Sequence, residues 1–297
     1  MTYPWNLFYR FGAGVAPKAQ GWASGVYIDH TLSKLTAFEA WRGVNVSHHS
    51  VFPTRTSWTA LLNTWWMLRA RPEQRLDVAV PLWPEDGNVN TDYTTQWTSF
   101  TDPLQDGDVV RLGWEANLPG WPHAITSANR TQWVARYKAA YNTIKATKPG
   151  VLVELCLNEG PSQTSVSNTQ IVTDLAGYFD IIGPDFYWWF GVTDTQSSWD
   201  ARIARDGGLT WHLMQAQAAG VKLAVSEWGI ASVADNGTGD SAFFVAKMME
   251  WFATNAADIH HESYFNNDVP GSGGVIFPDT SNPLAAAQYR SDIGLYL

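Results

Sequence analysis

Short apolar runs alternate along the chain with segments whose apolar residues recur at helical spacing. In a strand, successive side chains point to opposite faces, and the apolar odd-numbered positions of residues 151–157 follow this period of two. Runs of this kind, each about the length of one strand, predict strands at residues 25–29, 44–51, 76–82, 109–115, 151–157, 179–186, 221–227 and 262–266.

Helix-like segments separate the predicted strands. Residues 31–41 carry Leu32, Leu35 and Phe38 at helical spacing, begin at Thr31 and are followed by Gly43, which are typical helix start and stop residues. Further helices are predicted at residues 58–69, 131–147, 211–219 and 241–255. Because strand and helix alternate throughout, the pattern predicts an α/β fold, a single (β/α)8 TIM barrel, with residues 1–297 as one domain.

Strand parity predicts which side chains point into this barrel. The face of the fourth strand that carries Glu115 also carries Arg111, and a buried arginine needs a charged partner, for which Glu154 on the next strand is the natural candidate. The same parity argument sends a further set of mostly polar side chains inward, namely Asn45, Ser47, His49, Asp77, Trp83, Leu152, Cys156 and Asn158.

The net charge argues against two classes of binding partner. The net charge is −9, from 28 acidic and 19 basic residues, which argues against nucleic acid and anionic membrane surfaces as partners. No apolar stretch approaches the length of a membrane span, so no membrane insertion is expected. Residues 1–14 lack the basic start and apolar run of a secretory signal, so export would use another signal or route. The lone Cys156 excludes an intrachain disulfide.

Tryptophan is unusually abundant, with 17 copies. Most tryptophans of a globular protein belong to the core, but several here stand beside Gly, Pro or Asn in predicted loops, namely Trp83, Trp121, Trp188 and Trp189. Flat aromatic surfaces in loops favour a binding site for a flat, neutral molecule, and a sugar ring fits that description.

Two predicted strands end on a glutamate beside a tryptophan. The fourth ends Trp114-Glu115, and the seventh continues through Glu227-Trp228. Reactive groups of a (β/α)8 barrel lie at the carboxyl ends of its strands, and strands four and seven face each other across the barrel mouth. Two carboxyl groups that meet across a cleft are the groups that cleave a glycosidic bond.

These two segments resemble a known family. The pattern Arg-x-x-x-Glu-x-Asn from Arg111 to Asn117 looks like the acid/base segment of glycoside hydrolase family 26, the β-mannanase family of clan A, and Ser226-Glu227-Trp228-Gly229 looks like its nucleophile segment. Residues 179–187 resemble the sixth strand of that family. The resemblance implies a retaining, endo-acting enzyme on β-linked polysaccharide, in which Glu115 is the acid/base and Glu227 the nucleophile. By the same resemblance, Tyr187 donates a hydrogen bond to the nucleophile and Asn117 orients the acid.

The chain departs from the family pattern at two places. Trp114 stands where the family usually has a histidine before the acid/base, and residues 264–267 lack the tryptophan that tends to end the eighth strand. Both places lie near the bond to be cleaved. The sugar therefore stays open between mannan, xylan, mixed β-glucan and a bacterial cell-wall glycan.

Sugar contacts are expected from residues around the two glutamates. Trp121 and Trp188 are the foremost candidate platforms, since each follows a predicted strand end. The remaining expected substrate contacts are His49, Trp83, Trp114, Asn117, Asp185, Tyr187 and Trp228.

Asn158-Glu159 is an alternative source of the acid, although parity turns Glu159 away from the interior. The pairs His48-His49 and His260-His261 could suggest a metal hydrolase, but adjacent strand residues face opposite ways, so no metal or other cofactor is expected. A non-catalytic carbohydrate-binding barrel is the alternative function. The protein is expected to be a monomer that acts outside the cell or at a cell or virion surface.

Overall fold

Eight parallel strands close into a barrel in the computed structural model, which describes residues 21–267 and 274–297. Each strand pairs with the next along the chain, and the last pairs with the first. Within the described residues the strands are β1 (Ala23–Tyr27), β2 (His48–Val51), β3 (Arg75–Val80), β4 (Val109–Leu112), β5 (Leu152–Asn158), β6 (Ile181–Trp188), β7 (Lys222–Ile230) and β8 (Ile259–Phe265). The predicted (β/α)8 barrel is confirmed, and all eight predicted strands are present with shifted ends.

Helices surround the barrel, and the described part of the chain contains α1 (Leu32–Arg42), α2 (Trp58–Leu61), α3 (Thr94–Thr101), α4 (Arg130–Thr147), α5 (Asn168–Asp174), α6 (Gln196–Ala204), α7 (Leu209–Ala219), α8 (Ala242–Thr254) and α9 (Pro283–Tyr296). Helix α1 ends as predicted, because Gly43 adopts a left-handed conformation with φ of 78° and its N–H caps the carbonyl of Glu39. None of these helices is both long enough and apolar enough to cross a membrane.

The predicted helix at residues 58–69 is wrong in extent. Helix α2 stops at Leu61, and a 3-10 turn (Thr64–Trp66) follows, capped by the side chain of Asn63. Helices α3, α5 and α6 were not predicted, because they are short on apolar residues at helical spacing, and α9 was missed although Ala285, Tyr289 and Ile293 follow that spacing. Three of them carry start signals that could have revealed them, namely the capping box of Ser167, the N-cap of Thr195 and Pro283 at the first turn.

The outward faces of the strands and the inner faces of the helices form the main hydrophobic core. The middle of the barrel is instead polar, with Asp77, Arg111, Glu154 and Asp185 all fully buried. The predicted inward set on β5 is consistent with this interior, because Asn158 and Glu154 both contact groups inside the barrel.

Two predictions about the interior are wrong. On β2 the inward residues are His48 and Ser50, which reach His261 and Asp77, so the predicted inward set of Asn45, Ser47 and His49 is shifted by one. Residues 47–50 are four consecutive polar residues, so no alternation of polar and apolar residues indicates which face points inward. Arg111 does not pair with Glu154, since its closest carboxylates belong to other strands.

Candidate active site

A tight turn after β4 presents Glu115. The strand ends at Leu112, Gly113 has a φ of 62°, and Glu115 itself has a φ of 52°. A left-handed non-glycine residue is strained and occurs most often where function requires it. The N–H of Glu115 donates to the carbonyl of Cys156 on β5 at 2.9 Å, which fixes the turn against the neighbouring strand.

Two donors hold the carboxyl group of Glu115. Asn158 Nδ2 donates to Oε1 at 2.8 Å, and the indole N–H of Trp121 donates to Oε2 at 3.1 Å. Burial, reinforced by the negative charge of Glu227, raises the pKa of Glu115 to about 7 in spite of these donors. A carboxyl group with this pKa is half protonated near neutral pH, which suits a general acid and base.

Glu227 is aimed inward by a β-bulge. Ile182 of β6 pairs with Leu223 of β7, and the next pair is Asp185 with Glu227. Between these two pairs β7 therefore contains one residue more than β6. A bulge of this kind turns two consecutive side chains to the same face. As a result Ser226 and Glu227 both point into the barrel, where simple alternation would send only one of them.

Two donors also hold the carboxylate of Glu227. Arg111 Nη1 lies 2.5 Å from Oε1, and the hydroxyl of Tyr187 donates to Oε2 at 2.9 Å. The hydrogen bond from Tyr187 has the geometry that the family resemblance implies. A guanidinium group and a phenol complement a negatively charged carboxylate, whereas a neutral amide and an indole surround Glu115.

Arg111 joins three acids beneath the barrel mouth. Its guanidinium group lies 3.2 Å from Asp77, 3.3 Å from Asp185 and 2.5 Å from Glu227, and the ring of Phe52 covers it at 5.1 Å. Burial and the nearby carboxylates raise the pKa of Asp185 well above its ordinary value despite Arg111. Asp185 is itself a fully buried member of this cluster, and its expected contact with substrate stays a prediction.

Asn117 is linked to Glu115 through Asn158. Its side-chain amide donates to the carbonyl of Asn158 at 2.8 Å, and its oxygen accepts from the N–H of Asn158 at 2.8 Å. Asn117 is 1% exposed and also contacts Asn168, and its expected contact with substrate stays a prediction. The residue that touches Glu115 is Asn158, which the inward parity of β5 had placed on the correct face.

Three expected sugar platforms are core residues instead. Trp188 and Trp228 are fully buried among the helices, and Trp83 is 3% exposed within the main core. Parity explains the first two, because Tyr187 and Glu227 point inward and the next residue on a strand must then point outward. The expected substrate contacts of these three residues are therefore wrong.

Trp121 and Trp189 are the tryptophans that stay half-buried near the glutamates. Trp121 packs on Trp114 with ring centroids 4.8 Å apart, and the guanidinium group of Arg55 lies 4.5 Å from the Trp121 ring. Trp114 is 3% exposed, so its face is covered by these neighbours. Trp189 contacts Tyr187 at 5.5 Å, and the inward parity of Tyr187 would have selected it over Trp188.

An aromatic group on β1, β2 and β8 was not predicted. Tyr27 stacks on Phe265 with centroids 4.6 Å apart, and Phe52 meets Tyr27 edge-on at 4.8 Å. Phe265 also approaches Tyr187 at 6.0 Å, which joins this group to the residues around Glu227. The sequence signal of this group is weak, because Tyr27 and Phe52 are single aromatic residues far apart in the chain from Phe265.

His49 lies outside the barrel interior. Its ring nitrogens contact the carbonyl oxygens of Leu68 at 3.0 Å and Asp29 at 3.2 Å, and its side chain is fully buried. Both polar atoms are satisfied by backbone groups, so the expected substrate contact of His49 is wrong.

The rival acid Glu159 is occupied elsewhere. Its carboxylate forms ion pairs with Arg202 of α6 and with Arg205, and it accepts a hydrogen bond from Trp189. Arg202 belongs to a helix outside the barrel, and strand parity turns Glu159 toward that side. Between the two candidates, Glu115 is the carboxyl group near Glu227.

Solved structures with the same fold were found. A double mutant of the endo-β-1,4-mannanase of Cellulomonas fimi aligns with a TM-score of 0.61 at 13% identity over 92% of this chain and 70% of that chain. An endo-β-1,3-glucanase of Amycolatopsis mediterranei aligns with a TM-score of 0.57 at 12% identity over 91% and 99%. A glucosidase of Croceicoccus marinus aligns with a TM-score of 0.56 at 13% identity over 86% of this chain and 62% of that chain.

Sequence comparison adds no family assignment, because no family model and no curated protein matches the chain. At identities of 12–13%, the structural likeness establishes the fold alone. The chain has a (β/α)8 barrel of the kind found in solved mannanase, glucanase and glucosidase chains.

Proposed function

We propose that the protein is a retaining, endo-acting glycoside hydrolase of β-linked polysaccharide. The observation that carries the proposal is the contrast between two carboxyl groups at the barrel mouth. Glu115 sits in a buried pocket that raises its pKa to about 7, while Glu227 receives hydrogen bonds from Arg111 and Tyr187. Environments that differ in this way suit one acid and one nucleophile.

The proposed reaction proceeds in two displacements. In the first, Glu227 attacks the anomeric carbon while Glu115 transfers its proton to the glycosidic oxygen. The bond between the anomeric carbon and the glycosidic oxygen breaks. In the second, Glu115 removes a proton from water, the water oxygen bonds to the anomeric carbon, and Glu227 leaves as a carboxylate. Asn158 and Trp121 keep the acid oriented through both steps.

The proposed substrate is mannan or a related cell-wall glycan. Half-buried aromatic rings near the glutamates, among them Trp121, Trp189 and Tyr27, offer flat surfaces for sugar rings. The solved structures with this fold are described as a mannanase, a glucanase and a glucosidase, which supports a β-linked glycan as substrate class. We further propose one catalytic domain that acts as a monomer, outside the cell or at a cell or virion surface.

The test is a reducing-end assay on β-mannan, xylan, mixed β-glucan and bacterial cell-wall polysaccharides. Release from one of them identifies the substrate class, and the anomeric configuration of the first product, followed by NMR, tests retention. Saturable binding of an oligosaccharide without release of reducing ends would contradict the proposal in favour of the carbohydrate-binding barrel.

The pH profile of kcat/KM should report the ionisation of Glu115. Because Glu115 must be protonated to start the reaction and its pKa is raised to about 7, the rate should be high below pH 7 and fall about tenfold per pH unit above it. Glu115→Gln should lower turnover of polysaccharide by about 10²- to 10⁴-fold and remove this alkaline limb.

A matched pair of substrates and a control variant sharpen that measurement. An aryl glycoside with an activated leaving group needs no proton, so Glu115→Gln should cleave it far better than it cleaves polysaccharide. Glu159→Gln should keep the alkaline limb of the wild type. If Glu159→Gln removed the limb and Glu115→Gln kept it, the two roles would have to be exchanged.

Trp121→Phe should move the alkaline limb upward. The indole N–H stabilises the ionised form of Glu115, so its loss favours the protonated form and should raise the apparent pKa by about half a pH unit or more. Trp189→Phe is the control, because the indole N–H of Trp189 contacts Glu159 instead. Equal shifts in both variants would mean that the hydrogen bond to Glu115 is not the cause.

A further inference from the structure

Three histidines meet at the opposite end of the barrel from the glutamates. His48 is the first residue of β2, and His260 and His261 lie near the start of β8. One ring nitrogen from each lies within 4.8 Å of those of the other two. His48 and His261 are buried and His260 is half-buried, so the group lies at the edge of the barrel interior.

A β-bulge explains how the adjacent residues His260 and His261 both reach this group of histidines. Leu223 pairs with Ile259, but the next residue, Ala224, pairs with His261, so His260 is an extra residue on β8. The Nδ1 atoms of His260 and His261 lie 2.8 Å apart. The expectation that adjacent histidines of a strand must face opposite ways, and so cannot bind one ion, is therefore wrong at this pair.

The contacts of His261 suit a proton on its Nε2. The hydroxyl of Ser226 donates to Glu154 at 2.7 Å, so its oxygen is free to accept from an N–H at Nε2 of His261, 3.1 Å away. A neutral imidazole carries one N–H, so with that proton on Nε2 the Nδ1 of His261 presents a lone pair toward His260.

The same reasoning applies to His48. Ser47 donates its hydroxyl hydrogen to the carbonyl of Ser24 at 2.8 Å and can accept from Nδ1 of His48 at 3.2 Å. The lone pair of His48 is then at Nε2, a buried atom with no hydrogen-bond partner among the described residues. A buried unpartnered nitrogen is costly unless something binds it.

A carboxylate lies behind the three imidazoles. Asp77 Oδ2 lies 3.7 Å from Nε2 of His261, the outer-shell position in which a carboxylate orients a metal-binding histidine.

We propose that His48, His260 and His261 bind one divalent transition-metal ion, for which Zn²⁺ is the best match. Three neutral imidazoles are a common zinc ligand set, with a water as fourth ligand. A second set of Asp77, Glu154 and His261 is also close enough, but Asp77 already pairs with Arg111, and Ser226 already donates to Glu154.

The ion would strengthen the closure of the barrel. Strands β2 and β8 are the two neighbours of β1, so a ligand set drawn from both links the first and last parts of the barrel. Binding to the folded state alone raises stability in proportion to the logarithm of metal concentration over Kd. The proposal concerns stability, so it does not depend on the proposed hydrolase activity.

The experiment uses the full chain without a histidine tag near pH 7.5. Zn²⁺ titrated by calorimetry should bind at one equivalent and raise Tm, Co²⁺ should give visible ligand-field bands, and Mg²⁺ should do neither. His260→Gln, which changes the half-buried ligand, should weaken zinc binding by at least about 100-fold. His30→Gln, at the other end of the barrel, should bind zinc like the wild type.

Several results would overturn the proposal. They are the absence of a zinc-dependent rise in Tm in the wild type, wild-type affinity in His260→Gln, or equal losses in His260→Gln and His30→Gln. If His260→Gln does not fold, His48→Gln serves in its place with the same expected loss. Polysaccharide hydrolysis in the presence of a chelator should stay within about twofold of the untreated rate, which keeps this test separate from that of the active site.

Discussion

Glu227→Gln should abolish turnover, by about 10⁴-fold or more on polysaccharide and on an activated aryl glycoside alike. An amide cannot form the covalent bond that the first displacement requires, and an activated leaving group does not replace a nucleophile. The loss on both substrates distinguishes this variant from Glu115→Gln, which should retain the activated substrate.

The fold should survive this change. Arg111 keeps its contacts with Asp77 and Asp185, and the hydroxyl of Tyr187 can donate to the amide oxygen in place of the carboxylate. The variant also leaves two carboxyl groups around Arg111 in place of three. The free energy of unfolding should therefore change by less than about 2 kcal/mol, measured by denaturant unfolding. Turnover near the wild-type rate in a folded Glu227→Gln variant would contradict the assignment of Glu227 as the nucleophile.

Arg111→Met should cost about 3–5 kcal/mol of unfolding free energy and abolish activity. The variant leaves the carboxylates of Asp77, Asp185 and Glu227 without their shared cation in a buried site. Removing one partner of a buried ion pair is costly because the remaining charge is neither hydrated nor paired. Activity should fall because Glu227 also loses the donor at Oε1.

The loss of unfolding free energy in Arg111→Met should grow as pH rises. Burial already raises the pKa of Asp185 above its unfolded value, and the loss of Arg111 raises it further. A carboxyl group with a raised folded pKa stabilises the fold at low pH and loses that contribution as pH rises. Arg111→Met should therefore fall further behind the wild type from pH 5 to pH 8 in chemical unfolding.

Arg205→Met provides the matched control. Arg205 is partly exposed, and Glu159 keeps its second partner Arg202 when Arg205 is removed. Its loss should cost about 1 kcal/mol or less, with little dependence on pH. A cost for Arg111→Met no larger than that of Arg205→Met would mean that the central ion cluster does not hold the barrel together.

Strand parity accounts for the places of Trp188 and Trp228. Tyr187 and Glu227 point into the barrel, so the next residue on each strand, Trp188 or Trp228, points outward into the helical layer, where it is buried. A tryptophan next to a glutamate looks like part of a site in the sequence. On a strand, adjacency places the two side chains on opposite faces, and Trp189 is the residue that returns to the inner face.

The sequence alone determined the alternation of strands and helices, and with it the barrel and the strand order. It also singled out Glu115 and Glu227 as candidate carboxyl groups, because a carboxylate after an apolar strand is recognisable locally. Only the tertiary structure decided what depends on the register between strands. The bulges at Glu227 and His260, the left-handed turn at Glu115 and the three acids around Arg111 are set by contacts between residues far apart in the chain. Such contacts form only when the barrel closes, and no local pattern records them.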